Sequence, residues 1–308
     1  MPSFSVAKST NESYTPAYIP TILITGATSG IGEAIVKSLA NHLHGRGHFI
    51  LVGRNRAAAE SIIASLPPSA QDSTYEFIAC DVSLMKNVHA LAKDLLERLP
   101  KLNFLVHSAG VFGILGLEET EEGIDKKLAS RYYARWALTH DLLPLLRNAK
   151  DQGEPASVLS VLGAGMGGQV DLDDLGLKKS YSGIKAMMQS LSYNDLMVAE
   201  FARREPNIAF THIYPGNVNT AMYKPSNPIY KIIVFFLRPV IWLITTTPEA
   251  CAEHMIFALL DADKGMYRRN EKGDDIAMKG FPTPAGDEAK KEQAQKALWD
   301  HSLQVTTV

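Results

Sequence analysis

A glycine-rich segment near the N-terminus constrains the fold of this chain more than any other feature. Residues 21–32 read TILITGATSGIG. The apolar residues at its start predict a short buried strand, and the run EAIVKSLANHL that follows predicts a helix. Gly26, Gly30 and Gly32 then lie where a strand turns sharply into a helix, because glycine makes such a turn without a Cβ clash. Backbone N–H groups and the positive end of the helix dipole favour a phosphate group at this turn.

Strand-like and helix-like segments alternate after this turn. The segments HFILVGRN, TYEFIACDV, NFLVHSAG, ASVLSVLGAG and NIAFTHIYPGNVNT predict five further strands with their exit loops, and amphipathic segments separate the first four. This alternation predicts an α/β fold, a doubly wound parallel sheet of the Rossmann type with helices on both faces. A ligand of such a sheet binds beyond the carboxyl ends of the strands.

Composition narrows the class of protein. The chain has 308 residues, of which 46% are hydrophobic, and a formal net charge of −2. Its length suits one large domain or two small ones, and its near-neutral charge argues against a nucleic-acid surface. Cys80 and Cys251 have no metal-ligand spacing, so we expect no metal and a reduced, cytoplasmic setting. The polar residues 1–20 lack an apolar signal core and predict a surface arm.

The glycine spacing also carries a family resemblance. Residues 25–32 follow the pattern TGxxxGIG, which resembles the short-chain dehydrogenase/reductase family. Ala109 and Gly110 match the end of the family's NNAG motif, with His107 and Ser108 in place of the two asparagines. The resemblance covers residues 21 to about 220. It implies a nicotinamide dinucleotide cofactor and hydride transfer to or from a small molecule, and we expect His107 to be structural.

The second predicted strand indicates which nicotinamide cofactor is bound. An NAD site has an acidic residue at the end of this strand for the ribose 2′-hydroxyl, and this chain has none there. Arg54, with Arg56 as a second candidate, could instead bind a 2′-phosphate, which favours NADP(H). The alternative is that Arg54 is only a solvated charge at the strand end.

The resemblance also implies the rest of the cofactor site. Asp81 would lie beside the adenine, Val218 by the nicotinamide carboxamide and Thr220 by the pyrophosphate. The full set of cofactor-binding residues is Thr25, Gly26, Ser29, Gly30, Ile31, Gly32, Arg54, Asp81, Ala109, Gly110, Lys185, Pro215, Gly216, Val218 and Thr220.

The resemblance implies three catalytic residues. Tyr181 and Lys185 form a YxxxK match, in which the tyrosine is the acid/base and the lysine lowers the tyrosine pKa and holds the nicotinamide ribose. A spacing of four places both on one helix face, and a cation beside a phenol favours the phenolate. Ser160 is the candidate that orients the substrate carbonyl, although it also fits an internal strand serine.

A second alignment of the same region gives a different register. Aligning residues 199–204 and Pro215-Gly216 with the family places the tyrosine and lysine positions on Met187 and Leu191. An offset of six residues on a helix is about 9 Å of rise and about 240° of rotation, so both registers cannot serve one nicotinamide. A match of Leu159-Ser160-Val161 to the family's fifth strand likewise places the serine position on Gly163, three residues after Ser160. The family's helix asparagine falls on Arg131, which could contact a substrate anion or be a displaced surface arginine.

The later part of the chain predicts the substrate end. The region at about 221–247 corresponds to the substrate lid of the resembled family. The apolar run at 229–244 within it indicates a lipophilic small-molecule substrate. Lys231, Arg238 and Pro239 interrupt this run, so it does not predict a spanning helix. The alternative is an interfacial patch that makes peripheral membrane contact through 229–244. We expect a domain at 21–280 and a helical tail at 281–308 docked by Trp299.

Together these features predict an NADP(H)-dependent oxidoreductase of the short-chain type that acts on a carbonyl or alcohol of a lipophilic small molecule. Two alternatives remain open, a non-redox isomerase or cyclase on the same scaffold and a nucleotide-sensing binding protein without turnover. The presence of a phenol within hydrogen-bond reach of the nicotinamide would separate the first reading from the others. Homodimers are common in the family, and a homodimer is one expectation here.

Overall fold

The computed structural model describes residues 3–113, 116–220, 245–283 and 287–307. The predicted membrane-contact segment at 229–244 lies outside them, and so does the predicted lid of about 221–247 apart from its last three residues. Seven parallel strands form one sheet in the order β3-β2-β1-β4-β5-β6-β7. The strands are β1 (Thr21–Thr25), β2 (His48–Gly53), β3 (Thr74–Ala79), β4 (Phe104–His107), β5 (Ser157–Val161), β6 (Ala209–Ile213) and β7 (Gly265–Arg269). The predicted doubly wound parallel sheet is confirmed.

Helices cover both faces of this sheet. They are α1 (Phe4–Glu12), α2 (Gly30–His42), α3 (Arg56–Ala64), α4 (Met85–Arg98), α5 (Lys126–Leu128), α6 (Ala134–Asp141), α7 (Leu143–Asp151), α8 (Gly183–Arg204), α9 (Pro248–Leu260) and α10 (Glu288–Thr306). A π-helical turn, Ala129–Tyr133, joins α5 to α6. Such turns are frequent at functional sites.

The central strand shows why the sheet has a core on each face. All five residues of β1 are buried, and successive side chains of a strand point to opposite faces. Leu23 accordingly packs in one core with α4, α6 and α8, whereas Ile22 and Ile24 pack in the other with α2 and α9. The apolar run at 21–24 thus has no exposed face, as a central parallel strand requires.

The strand order reverses at β1, and this reversal positions the site. β1 pairs with β2 on one side and with β4 on the other, so the strands that precede and follow it diverge. The carboxyl ends of β1 and β4 lie together, since Thr25 pairs with His107. A crevice opens at such a switch point.

Two elements differ from the sequence expectation. The predicted surface arm contains helix α1, which packs on α9 because Asn11 is fully buried and donates from Nδ2 to the backbone oxygen of Glu253 at 2.8 Å. Strand β7 is not among the predicted strands, because its sequence, GMYRR, ends in two arginines, which the fold buries. The predicted C-terminal helix is present, and Trp299 docks it against Trp136 with ring centroids 5.1 Å apart.

Candidate functional site

The turn from β1 into α2 is a cradle of bare backbone. Gly26 has a φ of +74°, and a Cβ there would lie 2.6 Å from the backbone nitrogen of Ala109. A Cβ on Gly32 would lie 2.3 Å from the carbonyl oxygen of Gly26. Contacts this short exclude any side chain at either position. The glycine pattern therefore brings the ends of β1 and β4 close together and leaves the first turn of α2 open to a ligand.

A cleft of about 380 Å³ lies over this cradle. The N-terminus of α2 faces it, and the N-cap residue Ser29 makes no side-chain bond to the helix. Unsatisfied N–H groups at the start of a helix bind phosphate readily. Predicted cofactor residues that line the cleft are Gly26, Ser29, Gly30, Ile31, Arg54, Asp81, Ala109, Gly110 and Thr220. The cleft and its cradle fit the pyrophosphate and adenosine parts of a dinucleotide.

Arg54 lies at the edge of the cleft, just past the end of β2. Its side chain is 72% exposed, and Nη1 lies 3.9 Å from Oδ2 of Asp81. Burial opposes ionisation of Asp81, but hydrogen bonds from Ser83 and the charge of Arg54 hold the Asp81 pKa below its ordinary value. Arg56 points elsewhere, with its guanidinium 5.2 Å from the ring centre of Phe77. Arg54 lines the cleft and Arg56 does not, so Arg54 is the better placed of the two for an incoming phosphate.

The Pro215-Gly216 exit loop is divided between two cavities. Thr220 reaches the main cleft, where its Cγ2 would lie 3.3 Å from a Cβ on Gly30. Val218 is buried and forms a bridge with Thr246. Pro215 and Gly216 instead line a second cavity of about 470 Å³. The structure thus brings only the end of this loop, and not its Pro-Gly turn, to the described cleft.

Tyr181 lies just before α8, and its partners come from another helix. Its hydroxyl donates to Asp125 Oδ2 at 2.8 Å and accepts from Lys127 Nζ at 2.9 Å. Burial raises the pKa of Tyr181, and the charge of Asp125 adds to this effect whereas Lys127 opposes it. The Tyr181 hydroxyl is accordingly protonated at neutral pH. Neither Tyr181 nor Lys127 lines the described cleft.

Lys185 does not contact Tyr181 in the structure. It lies in the first turn of α8, and its Nζ donates to the hydroxyl of Ser180. The predicted pair thus shares an element boundary, but the ammonium group beside the phenol belongs to Lys127. The separation of 54 residues between Lys127 and Tyr181 explains why local spacing does not reveal their contact.

Ser160 is an internal strand residue. It is fully buried in β5, where its hydroxyl donates to Asn194 Oδ1 and accepts from Arg135 Nη1, each at 2.7 Å. At Gly163, the serine position that the strand match assigns, a Cβ would lie 3.0 Å from Cδ2 of Leu191. An aliphatic side chain from α8 therefore covers the place that this match assigns to a catalytic serine.

Two buried arginines occupy the π-helical turn and the start of α6. Arg131 donates from Nε to Ser190 Oγ at 2.9 Å, and Arg135 donates from Nη2 to the carbonyl oxygen of Ala109 at 2.7 Å. Burial lowers the pKa of Arg131 to about 10 and that of Arg135 to about 9, the charge of Arg131 adding to the second shift. Within the described part of the chain, neither arginine has a carboxylate partner.

His107 at the end of β4 is structural, as the sequence predicts. Its ring is buried, its Nε2 lies 3.0 Å from Thr139 Oγ1, and burial holds its pKa well below the ordinary value. Tyr132 and Tyr133 also face away from the cleft. Their hydroxyls contact Ser302 and His301 of α10.

Sequence reasoning missed a buried ionic cluster on α8. Asp195 accepts from His212 Nδ1 at 2.7 Å and from Arg268 Nη2 at 2.8 Å. The Nε2 of the same histidine accepts from the backbone nitrogen of Gly163 at 3.1 Å. The cluster ties α8 to β6, β7 and the loop after β5. The two charged residues of GMYRR were the available signal, since charges in an apolar setting need partners.

The described residues show no group of three or more metal-ligating side chains, and none of their helices is long and apolar enough to cross a membrane. What the cleft offers chemically is anion binding at α2, a cation at Arg54 and a polar contact from Asp81. These groups suit the phosphates and the adenosine part of a dinucleotide. Among the described residues that line the cleft, there is no tyrosine, lysine or histidine.

Comparisons with known proteins agree with this architecture. The family model for short chain dehydrogenase matches residues 20–231. An oxidoreductase of Emericella nidulans is 33% identical over 276 residues, which are 88% of this chain and 78% of that protein. Polyprenol dehydrogenase of Mus musculus is 27% identical over a region that makes up 92% of this chain and 83% of that protein.

Solved structures repeat the fold at lower identity. The crystal structure of NADPH-bound carbonyl reductase from chicken fatty liver matches with a TM-score of 0.60 and 20% sequence identity. The match covers 84% of this chain and 99% of the reductase chain. The family-model match extends over more than half of the chain, and the sheet order, the glycine cradle and the curated relatives all agree with it. The chain therefore belongs to the short-chain dehydrogenase family of oxidoreductases.

Proposed function

We propose that the protein is an NADP(H)-dependent oxidoreductase that reduces a carbonyl group or oxidises an alcohol on a lipophilic small molecule. The observation that carries the proposal is the cleft over the glycine cradle, with Arg54 at its edge and no acidic side chain at the end of β2. A guanidinium there matches a 2′-phosphate, whereas NAD-binding sites place a carboxylate. The cofactor, when bound, supplies or accepts the hydride.

The chain's own residues bind and orient the dinucleotide. The first turn of α2 and the backbone at Gly26 receive the pyrophosphate, Arg54 receives the 2′-phosphate, and Asp81 lies on the adenosine side. Tyr181 remains the proposed acid/base. Its hydroxyl proton is donated to Asp125 in this structure, so donation to a substrate carbonyl oxygen requires the hydroxyl to turn away from that carboxylate. Ser160 and Lys185 remain candidates from the resemblance alone.

Two features support a lipophilic substrate. The apolar run at 229–244 lies in the predicted lid, outside the described residues. Relatives named polyprenol dehydrogenase and retinol dehydrogenase 14 are 27% identical to this chain, and their names refer to lipophilic alcohols. The cytoplasmic location, the peripheral membrane contact and the homodimer stay predictions.

The affinity for NADPH tests the cofactor assignment. Arg54→Glu should weaken NADPH binding about 100-fold, because a charge-assisted hydrogen bond is replaced by charge repulsion, and should change NADH binding less than about 3-fold. Arg56→Glu is the matched control, since it reverses a charge two residues away that lies over Phe77. Calorimetric titration of each variant measures both cofactors. Equal losses for NADPH and NADH would remove Arg54 from the 2′-phosphate.

A non-redox isomerase or cyclase is the second candidate. The observation that favours it is the contact between Leu191 and Gly163, together with the lack of a phenol among the described residues that line the cleft. The two candidates separate in one assay. Loss of NADPH absorbance with a long-chain aldehyde or ketone, or its gain with the alcohol, supports the oxidoreductase. Tight NADPH binding with no redox turnover on any of these compounds would support the second candidate.

A further inference from the structure

One face of the helix that follows β4 carries three cations. Lys127, Arg131 and Arg135 are spaced four residues apart, and each is less than 9% exposed. A Cβ on Gly113 would lie 3.4 Å from Cε of Lys127, and one on Gly110 would lie 3.3 Å from Cγ of Arg131. The loop after β4 therefore runs along this face, so the three cations line up beside the segment that borders the cleft.

The outer two cations have most of their bonds within the fold, although Nε of Arg135 has no hydrogen-bond partner among the described residues. Lys127 lies 3.4 Å from the Asp125 carboxylate and bonds to Tyr181. Arg135 donates to Ser160 and to the carbonyl oxygens of Ala109 and Val161, which fixes the ends of β4 and β5. Both have structural roles that explain their burial.

Arg131 is different. Its Nε donates to Ser190 Oγ at 2.9 Å, but among the described residues Nη1 and Nη2 have no hydrogen-bond partner and no carboxylate within ion-pair distance. The residue is 92% buried. Neighbouring carboxylates are committed elsewhere, since Asp125 pairs with Lys127 and Asp195 with Arg268. Both nitrogens keep some contact with solvent, and a largely buried guanidinium that is open on this side favours an anion from outside the described fold.

The position of Arg131 restricts what that anion is. Its side chain packs against Gly110, which lines the cleft, and its guanidinium reaches Ser190, the neighbour of Leu191 that covers Gly163. The site is therefore at the carboxyl ends of β4 and β5. The phosphate-binding turn of α2 and Arg54 lie at other edges of the cleft. The cofactor phosphates thus have their own partners, and the substrate remains as the source of the anion.

We propose that Arg131 forms an anion-binding subsite that takes a carboxylate group of the substrate. The proposal rests on the proposed function only in placing the substrate beside the cofactor. Nη1 and Nη2 form a fork that matches the two oxygens of a carboxylate, and the neighbouring charge of Arg135 adds to the positive potential. A lipophilic substrate that carries a carboxylate, such as a long-chain oxo acid, fits both this subsite and the substrate class proposed above.

Calorimetric titration of the full chain with decanoate and with decanol tests the subsite. The two probes share one alkyl chain and differ in the carboxylate. Wild type should bind decanoate more tightly than decanol, with and without saturating NADP+. Arg131→Met should weaken decanoate about 30-fold and leave decanol and NADP+ within about 2-fold. Arg147→Met is the control, because it removes a surface arginine that pairs with Glu205.

The thermal midpoint provides a readout that a structural role would not give. Because Arg131→Met removes an unpaired buried charge, its midpoint should equal or exceed that of wild type, and decanoate should no longer raise it. Arg131→Lys keeps the charge without the fork, and it should retain part of the decanoate affinity. This second variant also serves if the first does not fold.

Three results would overturn the subsite. One is a wild type that binds decanoate no better than decanol. Another is an Arg131→Lys variant with unchanged decanoate affinity. The third is an Arg131→Met variant in which NADP+ affinity falls as much as decanoate affinity, which would place the guanidinium on the nicotinamide ribose. A wild type that does not bind NADP+ contradicts the proposed function instead, and the cofactor-free decanoate titration still tests Arg131.

Discussion

The phenol of Tyr181 gives the sharpest question at the scale of single residues. Its hydroxyl contacts Lys127 at 2.9 Å, whereas Lys185 contacts Ser180. If Tyr181 is the acid/base, Tyr181→Phe should lower redox turnover at least 100-fold, the lower end of what general acid catalysis contributes, and leave the NADPH dissociation constant within about 2-fold. Steady-state rates with calorimetric binding measure both. A fully active Tyr181→Phe variant would contradict the assignment.

The variants Lys127→Met and Lys185→Met separate the two possible cationic partners of this phenol. The cation in contact lowers the cost of ionising Tyr181, so its removal should move the alkaline limb of the pH–rate profile to higher pH. The contact at 2.9 Å predicts this shift for Lys127→Met and a smaller one for Lys185→Met. If only Lys185→Met moves the pH–rate profile, Lys185 is the cation that acts on Tyr181, as the YxxxK match implies, and Lys127 is not.

At this scale the sequence predicts what local geometry dictates. Gly26 and Gly32 are predictable because the turn from strand to helix leaves no room for a Cβ, and Arg54 because it follows directly from β2. The partners of Tyr181 are not predictable from the sequence, because Lys127 is 54 residues away and contacts Tyr181 only through the packing of α8 on α5. The free nitrogens of Arg131 are likewise visible only once its neighbours are placed.

At the scale of elements, the buried cluster of Asp195 holds α8 in place. This carboxylate bonds to His212 of β6 and to Arg268 of β7, and it accepts from the backbone of Gly165 at 3.1 Å. Burial opposes ionisation of Asp195, but His212 and Arg268 together hold its pKa below the ordinary value. One side chain thus fixes a helix against two strands and a loop.

Asp195→Asn should therefore destabilise the protein strongly. It leaves Arg268 buried without a carboxylate, and breaking such a pair costs about 3 to 5 kcal/mol of unfolding free energy. Urea unfolding measures the loss. Asp300→Asn is the control, because it removes an exposed pair with Lys296 and should cost less than about 1 kcal/mol. A loss below about 1 kcal/mol for Asp195→Asn would mean that the cluster does not hold α8.

Distant contacts of buried polar residues explain why the sequence predicts some elements and not others. β1 is recognisable because all its residues suit a buried strand. β7 is not, because Arg268 and Arg269 read as an exposed segment until Asp195 and Asp261 are known to face them. Similarly, α1 reads as a polar arm because the contact of Asn11 with Glu253 joins residues 242 positions apart.

At the scale of the whole molecule, the buried histidines determine how stability depends on pH. Burial lowers the pKa of His107 and of His212, so both are neutral in the fold, and below about pH 6.5 the unfolded chain binds more protons than the folded one. The pKa values of Asp195 and Glu253 are lowered in the fold despite burial. Their protonation at still lower pH therefore reduces the free energy of unfolding further. His89 opposes this trend, because the bond to Asp141 raises its pKa.

The free energy of unfolding should therefore fall from pH 7 toward pH 5, and each depressed histidine contributes up to about 1.4 kcal/mol per pH unit. His107→Gln should flatten this slope by one histidine's share, because the glutamine does not titrate and its amide still reaches toward Thr139. His48→Gln is the matched control, since His48 lies near the surface at the start of β2 and contacts Thr74. Urea unfolding at pH 7, 6 and 5 measures the three slopes. Equal slopes for wild type and His107→Gln would mean that the pKa of His107 is not lowered in the fold, against the effect expected of its burial.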